Sequence, residues 1–116
     1  MFQYVRLYSD VNGDSQFEEK SIPLEEAGAI GLLSDRIPVS SLIFREVAPD
    51  YDYDYHNAPQ RQFLVLLDGE IEIETSRGEK RSFSPGEVIL LEDTTGKGHR
   101  TRNLKPEKRR SLFIVV

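Results

Sequence analysis

Short runs in which apolar and polar residues alternate, separated by turn residues, fill most of the chain. A period of two puts every second side chain on one face of a strand, so the pattern predicts an all-β barrel or sandwich. Phe2 to Tyr8 and Ser15 to Ile22 read as strands joined at Asn12-Gly13-Asp14, residues suited to a tight turn. Leu24 to Ile30 fits one short helical turn, and Ser40 to Val47 reads as a strand. Gln60 to Leu67 and Glu70 to Thr75 read as a hairpin closed by Asp68-Gly69. In its second arm Ile71 and Ile73 face one way while Glu70, Glu72 and Glu74 face the other, as in a sheet with one wet face. Arg77-Gly78 and Pro85-Gly86 turn the chain into Arg81 to Phe83 and Val88 to Leu91, and Ser111 to Val116 is a final apolar strand.

Composition narrows the class. At 116 residues, 38% hydrophobic and 30% charged, the chain reads as one domain, residues 1–116, able to bury a core without disulfides. Cysteine is absent, which removes thiolate catalysis and zinc–cysteine sites. The net charge of −5 argues against nucleic acid as a partner, and the basic stretch Lys105 to Arg110 reads as a solvated loop. No apolar run is long enough for a membrane span and no basic leader precedes one, so the expectation is a cytoplasmic protein with no membrane partner.

The chemistry centres on the only two histidines, His56 and His99. In an extended run Gln60, Gln62, Leu64 and Leu66 share a face, which describes a pocket with a polar mouth and an apolar floor. His99, Thr101 and Asn103 share another, with Arg100 and Arg102 toward solvent. Two imidazoles and up to two amides, His56, His99, Gln62 and Gln60, form a possible shell for Zn, Mn, Fe, Ni or Cu. The other reading is that Gln62 and Gln60 satisfy the barrel wall. Tyr51, Tyr53 and Tyr55 read as strand-edge packing or, second, as pocket lining, and Leu64, Leu66, Thr101 and Asn103 are placed with Tyr55 as lining residues. Glu92 and Asp93 are acid/base candidates beside His99, and Asp54 shares the parity of His56.

Between about residues 48 and 103 the chain resembles the cupin superfamily, and within it the small single-domain bacterial conserved barrels. The family's first motif has two histidines two residues apart, then a glutamate, then a glycine seven residues on. Counted back from Gly69 these positions are His56, Ala58 and Gln62, within residues 48–75. The second motif runs from a Pro-Gly turn to a histidine with an asparagine four residues on, matched by Pro85-Gly86, His99 and Asn103 within residues 85–103. The resemblance implies an antiparallel barrel of jelly-roll type, also called a double-stranded β-helix. It implies a divalent transition metal as cofactor and a small-molecule ligand. As an enzyme the chain would be a dioxygenase, isomerase or lyase on an oxygenated or carboxylated compound. The alternative is a non-catalytic binding or sensor module without metal, favoured by Ala58 and by the amide at Gln62, which leaves a cation's charge uncompensated. Phe63, Val65 and Leu67 form a second apolar face opposite Gln62, Leu64 and Leu66, which predicts a homodimer, and the resemblance points the same way through edge strands such as Phe2 to Tyr8 or Leu112 to Val116.

Overall fold

Twelve strands and a single 3-10 turn make up the chain, in a computed structural model that describes residues 1–116. A six-stranded sheet has the order β2 (Ser15–Ile22), β1 (Phe2–Ser9), β10 (Val88–Leu91), β7 (Gln62–Leu66), β12 (Arg109–Val115), β5 (Ser41–Val47). A four-stranded sheet has the order β6 (Asp52–His56), β11 (His99–Asn103), β8 (Ile71–Thr75), β9 (Lys80–Phe83). β3 (Glu25–Glu26) and β4 (Leu32–Leu33) form a small ribbon around a 3-10 turn at Gly28–Ile30, where one short helical turn was expected over the whole of Leu24 to Ile30. Every pairing is antiparallel except β1 with β10. No helix is long and apolar enough to cross a membrane.

The two larger sheets face each other across one core. Leu7, Ala58, Leu64, Leu66, Ile71, Ile73, Phe83, Ile89 and Leu91 fill it. Alternation explains the choice: β7 and β8 both read buried, half-buried, buried along their length, so each gives three residues to the interior. Such facing sheets, with paired strands spread over both layers, are the architecture of a jelly roll.

One expected hairpin is a crossover. β7 pairs with β10 and β12, whereas β8 pairs with β11 and β9, so Asp68-Gly69 carries the chain from one sheet to the other. A tight Asp-Gly turn looks the same in sequence for both outcomes. The difference lies in Arg110, whose backbone N–H and Nε both donate to the Asp68 carboxylate, at 2.6 and 2.7 Å. That anchor holds the corner to β12 rather than to the strand that follows it. The expected edges also differ: β1 and β12 lie inside the large sheet, and its edges are β2 and β5.

The loop before β11 is packed directly on the end of β6. At Gly98, φ is +77° and an added Cβ would stand 2.3 Å from the His56 carbonyl oxygen. Only glycine permits that approach. Gly98→Ala is therefore expected to cost roughly 3 kcal/mol or more, because backbone must move as well as strain. Gly86, also at positive φ but facing open space, should lose only about 1–2 kcal/mol as Gly86→Ala. Denaturant melts of both variants check this; equal losses would mean the contact at Gly98 has no cost of its own.

Candidate functional site

Strand register brings the two histidines together. His99 opens β11 opposite His56 at the end of β6, and their ring centroids are 4.5 Å apart with planes tilted by 56°. Between residues 99 and 101 of β11 the β6 partner shifts from His56 to Tyr53, an extra residue on β6. A bulge of this kind breaks the two-residue alternation. It lets Tyr53 stack on His56, with centroids 3.9 Å apart and planes within 17°, and it leaves Asp54 exposed. Asp54 therefore brings no charge to the imidazoles, despite its parity with His56. Its carboxylate instead accepts the Tyr55 N–H.

Each imidazole is held by its Nδ1. His56 Nδ1–H donates to the Asp54 carbonyl at 2.8 Å. A carbonyl can only accept, so the neutral ring carries its lone pair on Nε2. His99 is 2% exposed, and its Nδ1 lies 2.5 Å from Oδ2 of the fully buried Asp93. The Ser15 hydroxyl donates to the same oxygen at 2.8 Å. Fixing Nδ1 in this way sets ring orientation, as in the outer shells of metal and acid/base histidines. Burial pushes the His56 pKa below the ordinary 6.5, opposed by its bond to Asp54, and the adjacent His99 adds to the lowering.

Two cavities meet at His56. The outer one, about 360 Å³, is lined by apolar Ile43, Pro59 and Phe113 and by polar groups including Arg45, Gln60 and Gln62. The inner one, about 30 Å³, lies among Tyr51, His56, Leu64, His99 and Thr101, room for about one water-sized group. A larger cleft of about 440 Å³ opens between β1 and β9 at Tyr4, Glu19 and Arg81, but neither histidine reaches it. We therefore place the candidate site at the histidine pair.

Of the residues expected there, His56, His99, Gln62, Leu64 and Thr101 line one or both cavities. Gln62 is 2% exposed and its Oε1 has no hydrogen-bond partner, so it does not merely satisfy the wall. Gln60 is exposed at the rim of the outer cavity and shares no cavity with His99. Leu66 belongs to the core, and Tyr55 points out of the barrel, its hydroxyl donating to the Thr75 carbonyl. Asn103 lines neither cavity: its amide is spent on the carbonyls of Ala48, Pro49 and Glu107 and on Arg109 Nε. Glu92 is bound by Arg6 and Arg61 and does not line the pocket, so of the two acids beside His99 only Asp93 touches it.

Arg45 and Arg109 went unnoticed in the sequence. Arg109 lies inside the stretch read as a solvated loop, yet it is fully buried. A basic residue at inward parity with Ser111 and Phe113 was the available signal.

No family model matches the chain and no curated protein matches it in sequence. Among solved structures it is similar to a Cupin 2 conserved barrel domain protein from Salinispora arenicola. The TM-score is 0.51 at 20% identity, over 63% of this chain and 59% of that one, so the match spans less than two thirds of that protein. A conserved protein of unknown function from Streptococcus pyogenes is also similar, with a TM-score of 0.47 at 18% identity over 73% of this chain and 68% of that one.

The lowered His56 pKa has a consequence for stability. The unfolded chain binds a proton on this ring more readily than the folded one, so folding weakens as pH falls below about 6.5 and the loss is absent above it. His56→Asn should therefore lose less melting temperature than the unmodified chain between pH 7 and pH 5. Parallel melting curves across that range would contradict a desolvated, neutral His56. With two facing sheets, the crossover at Asp68-Gly69 and the Salinispora barrel as a structural neighbour, the fold of this chain is of the cupin type.

Proposed function

We propose that the barrel is a small-molecule binding module whose ligand occupies the cavity beside His56. The charge of the interior carries this reading. It holds two imidazoles, the Gln62 amide and the Arg45 guanidinium, while the nearby Asp93 carboxylate is already engaged by His99 and Ser15. A pocket with apolar walls and a few convergent polar groups is the usual form of a ligand site. A resident divalent cation does not fit this donor set. The ligating groups that line the cavities are imidazoles and an amide, no three His, Cys, Asp or Glu residues cluster to hold a metal, and Arg45 shares both cavities with His56. A buried cation needs compensating charge, and the one nearby carboxylate, Asp93, lies behind His99 and lines neither cavity.

The second reading, a metal-dependent enzyme with His56, His99 and Gln62 as ligands, is supported by the unpartnered Gln62 Oε1 and by two rings held at Nδ1. Elemental analysis separates the two. Protein made without a histidine tag in metal-supplemented medium should carry far less than one metal per chain; a stoichiometric amount would overturn the binding-module reading. Gln62→Glu supplies the missing anion and should tighten Zn binding by about tenfold, or about 1.4 kcal/mol. In chelator the same variant should melt lower than the unmodified chain, because it buries an unpaired charge. A variant unchanged in both respects would remove Gln62 from the site.

We infer also that two copies pair through the outer face of the large sheet. Leu42 and Phe44 of β5, Leu112 and Ile114 of β12, and Phe63 and Val65 of β7 lie side by side there by register. Phe44 is 77% exposed, and Leu32, Leu33, Ile37 and Val39 of the preceding segment are also exposed. A contiguous apolar stripe ending in an unpaired edge strand is costly in an isolated monomer. β5 is one of the two edges of the large sheet, so this region replaces the edges expected from the sequence. Light scattering should give a dimer mass, and Phe44→Asp should reduce it to that of a monomer with the fold intact. A monomer at micromolar concentration before any substitution would refute the pairing.

A further inference from the structure

Register places two arginines on the same inner face. β12 and β5 pair Arg109 with Val47, Ser111 with Arg45 and Phe113 with Ile43, so Arg45 and Arg109 stand diagonally on the wall that faces the pocket. Arg45 Nε donates to Ser111 Oγ at 3.1 Å, and its guanidinium lies 4.4 Å from the Phe113 ring centroid and 5.5 Å from that of Tyr51. The Arg109 guanidinium lies on the same tyrosine, at 5.4 Å. Arg109 Nε donates to Asn103 Oδ1 at 2.9 Å, but both of its Nη atoms are buried without any partner.

Neither arginine has an ion pair, whereas Arg6, Arg61, Arg81, Arg100, Arg102 and Arg110 all do. Burial lowers the pKa of Arg45, and burial together with the nearby Arg45 lowers that of Arg109 to about 10. Both therefore stay charged at neutral pH. The molecule also makes room for Arg109: a Cβ on Gly69 would meet its Cγ and Cδ at 3.0 Å. Two like charges, one of them fully buried and short of four N–H acceptors' worth of bonding on its Nη groups, are a costly arrangement unless an anion completes it. Stacking on Tyr51 offsets part of that cost but accepts no hydrogen bond from the planar fork.

We propose that the pocket takes a small organic carboxylate, its anionic end received at Arg45 and Tyr51 with the Arg109 charge directly behind. The inference rests on the reading of the barrel as a binding module and names the ligand class. Guanidinium geometry matches a carboxylate in two parallel bonds. Ile43, Pro59 and Phe113 offer apolar walls to an organic body, which inorganic phosphate lacks. His56 and Gln62 line the same cavity and remain free to meet a polar substituent.

Titration calorimetry on the full chain tests this with acetate, benzoate and 3-phenylpropionate, each beside its neutral amide, and with inorganic phosphate. At least one carboxylate should bind about tenfold or more tightly than its amide. Arg45→Met should remove that preference, so that the carboxylate binds no more tightly than its amide. Arg109→Met should weaken the same carboxylate about tenfold or more, and without ligand it should melt no lower than the unmodified chain, since it replaces an unpaired buried charge by an apolar chain of similar size. If that variant fails to fold, Arg109 is structural and its part of the proposal falls, while Arg45→Met, at a half-exposed position, still decides the rest. Equal binding of acid and amide would overturn the carboxylate inference and leave the binding module standing. Phosphate binding as tightly as the best carboxylate would overturn the ligand class. No binding of any acid or amide would overturn both readings.

Discussion

Asp93 is the point at which the two sheets and the site are tied together. Its carboxylate accepts from His99 on β11 and from Ser15 on β2, while its backbone carbonyl accepts the Ala58 N–H at 3.1 Å. Asn57 Nδ2 reaches both that carbonyl and the carbonyl of Gly96. Four residues after Asp93, the Lys97 N–H donates to the Gly13 carbonyl at 2.8 Å, so the loop is fastened to the β1–β2 turn as well. One buried carboxylate thus sets the seat of Gly98 against His56, and with it the spacing of the two imidazoles. Two donors, one from each sheet, hold its Oδ2, while Oδ1 is buried without a partner.

That arrangement shows what could and could not be read along the chain. Strand positions and turns follow from local chemistry: alternation in Ile71 to Thr75, or glycine at positive φ in Gly13 and Gly78, needs no knowledge of distant residues. The histidine pair was also legible, because each lies at a fixed offset from a turn. The sheet assignment of β7 and β8 was not, since it depends on Arg110, 42 residues beyond Asp68. The position of Asp54 failed for a related reason. Parity predicts a face only while pairing stays regular, and the bulge opposite residues 99 to 101 is a property of two strands together. Arg109 was missed because a basic stretch is usually wet; its burial is visible only once Asn103, Tyr51 and Gly69 are assembled around it.

The interior differs in charge from the motif it resembles, and the differences reinforce one another. Ala58, at the position of the second histidine, is packed into the apolar core at 3% exposure. Gln62 stands at the position of the glutamate and keeps a neutral amide within the outer cavity. Removing one ligand and one negative charge lowers the attraction of the site for a cation. Placing Arg45 in the walls of both cavities then raises the cost of admitting one. Any one of these changes alone would leave a weakened metal site; together they support the proposed reading, in which the pocket takes an anion rather than a cation.

The same logic assigns His56 a different part. With its Nδ1–H committed to the Asp54 carbonyl, the neutral His56 ring offers an Nε2 lone pair, an acceptor rather than a donor. A carboxylate at Arg45 would bring acceptors of its own, so His56 suits a hydroxyl or N–H elsewhere on a ligand rather than its anionic end. The barrel then presents donors at the β5–β12 wall and an acceptor at the β6–β11 wall, with apolar side chains between. Such polarity across a pocket orients a molecule that carries an anion at one end and a donor at the other. It needs no metal to do so, because fixed guanidinium and imidazole groups supply both the charge and the direction.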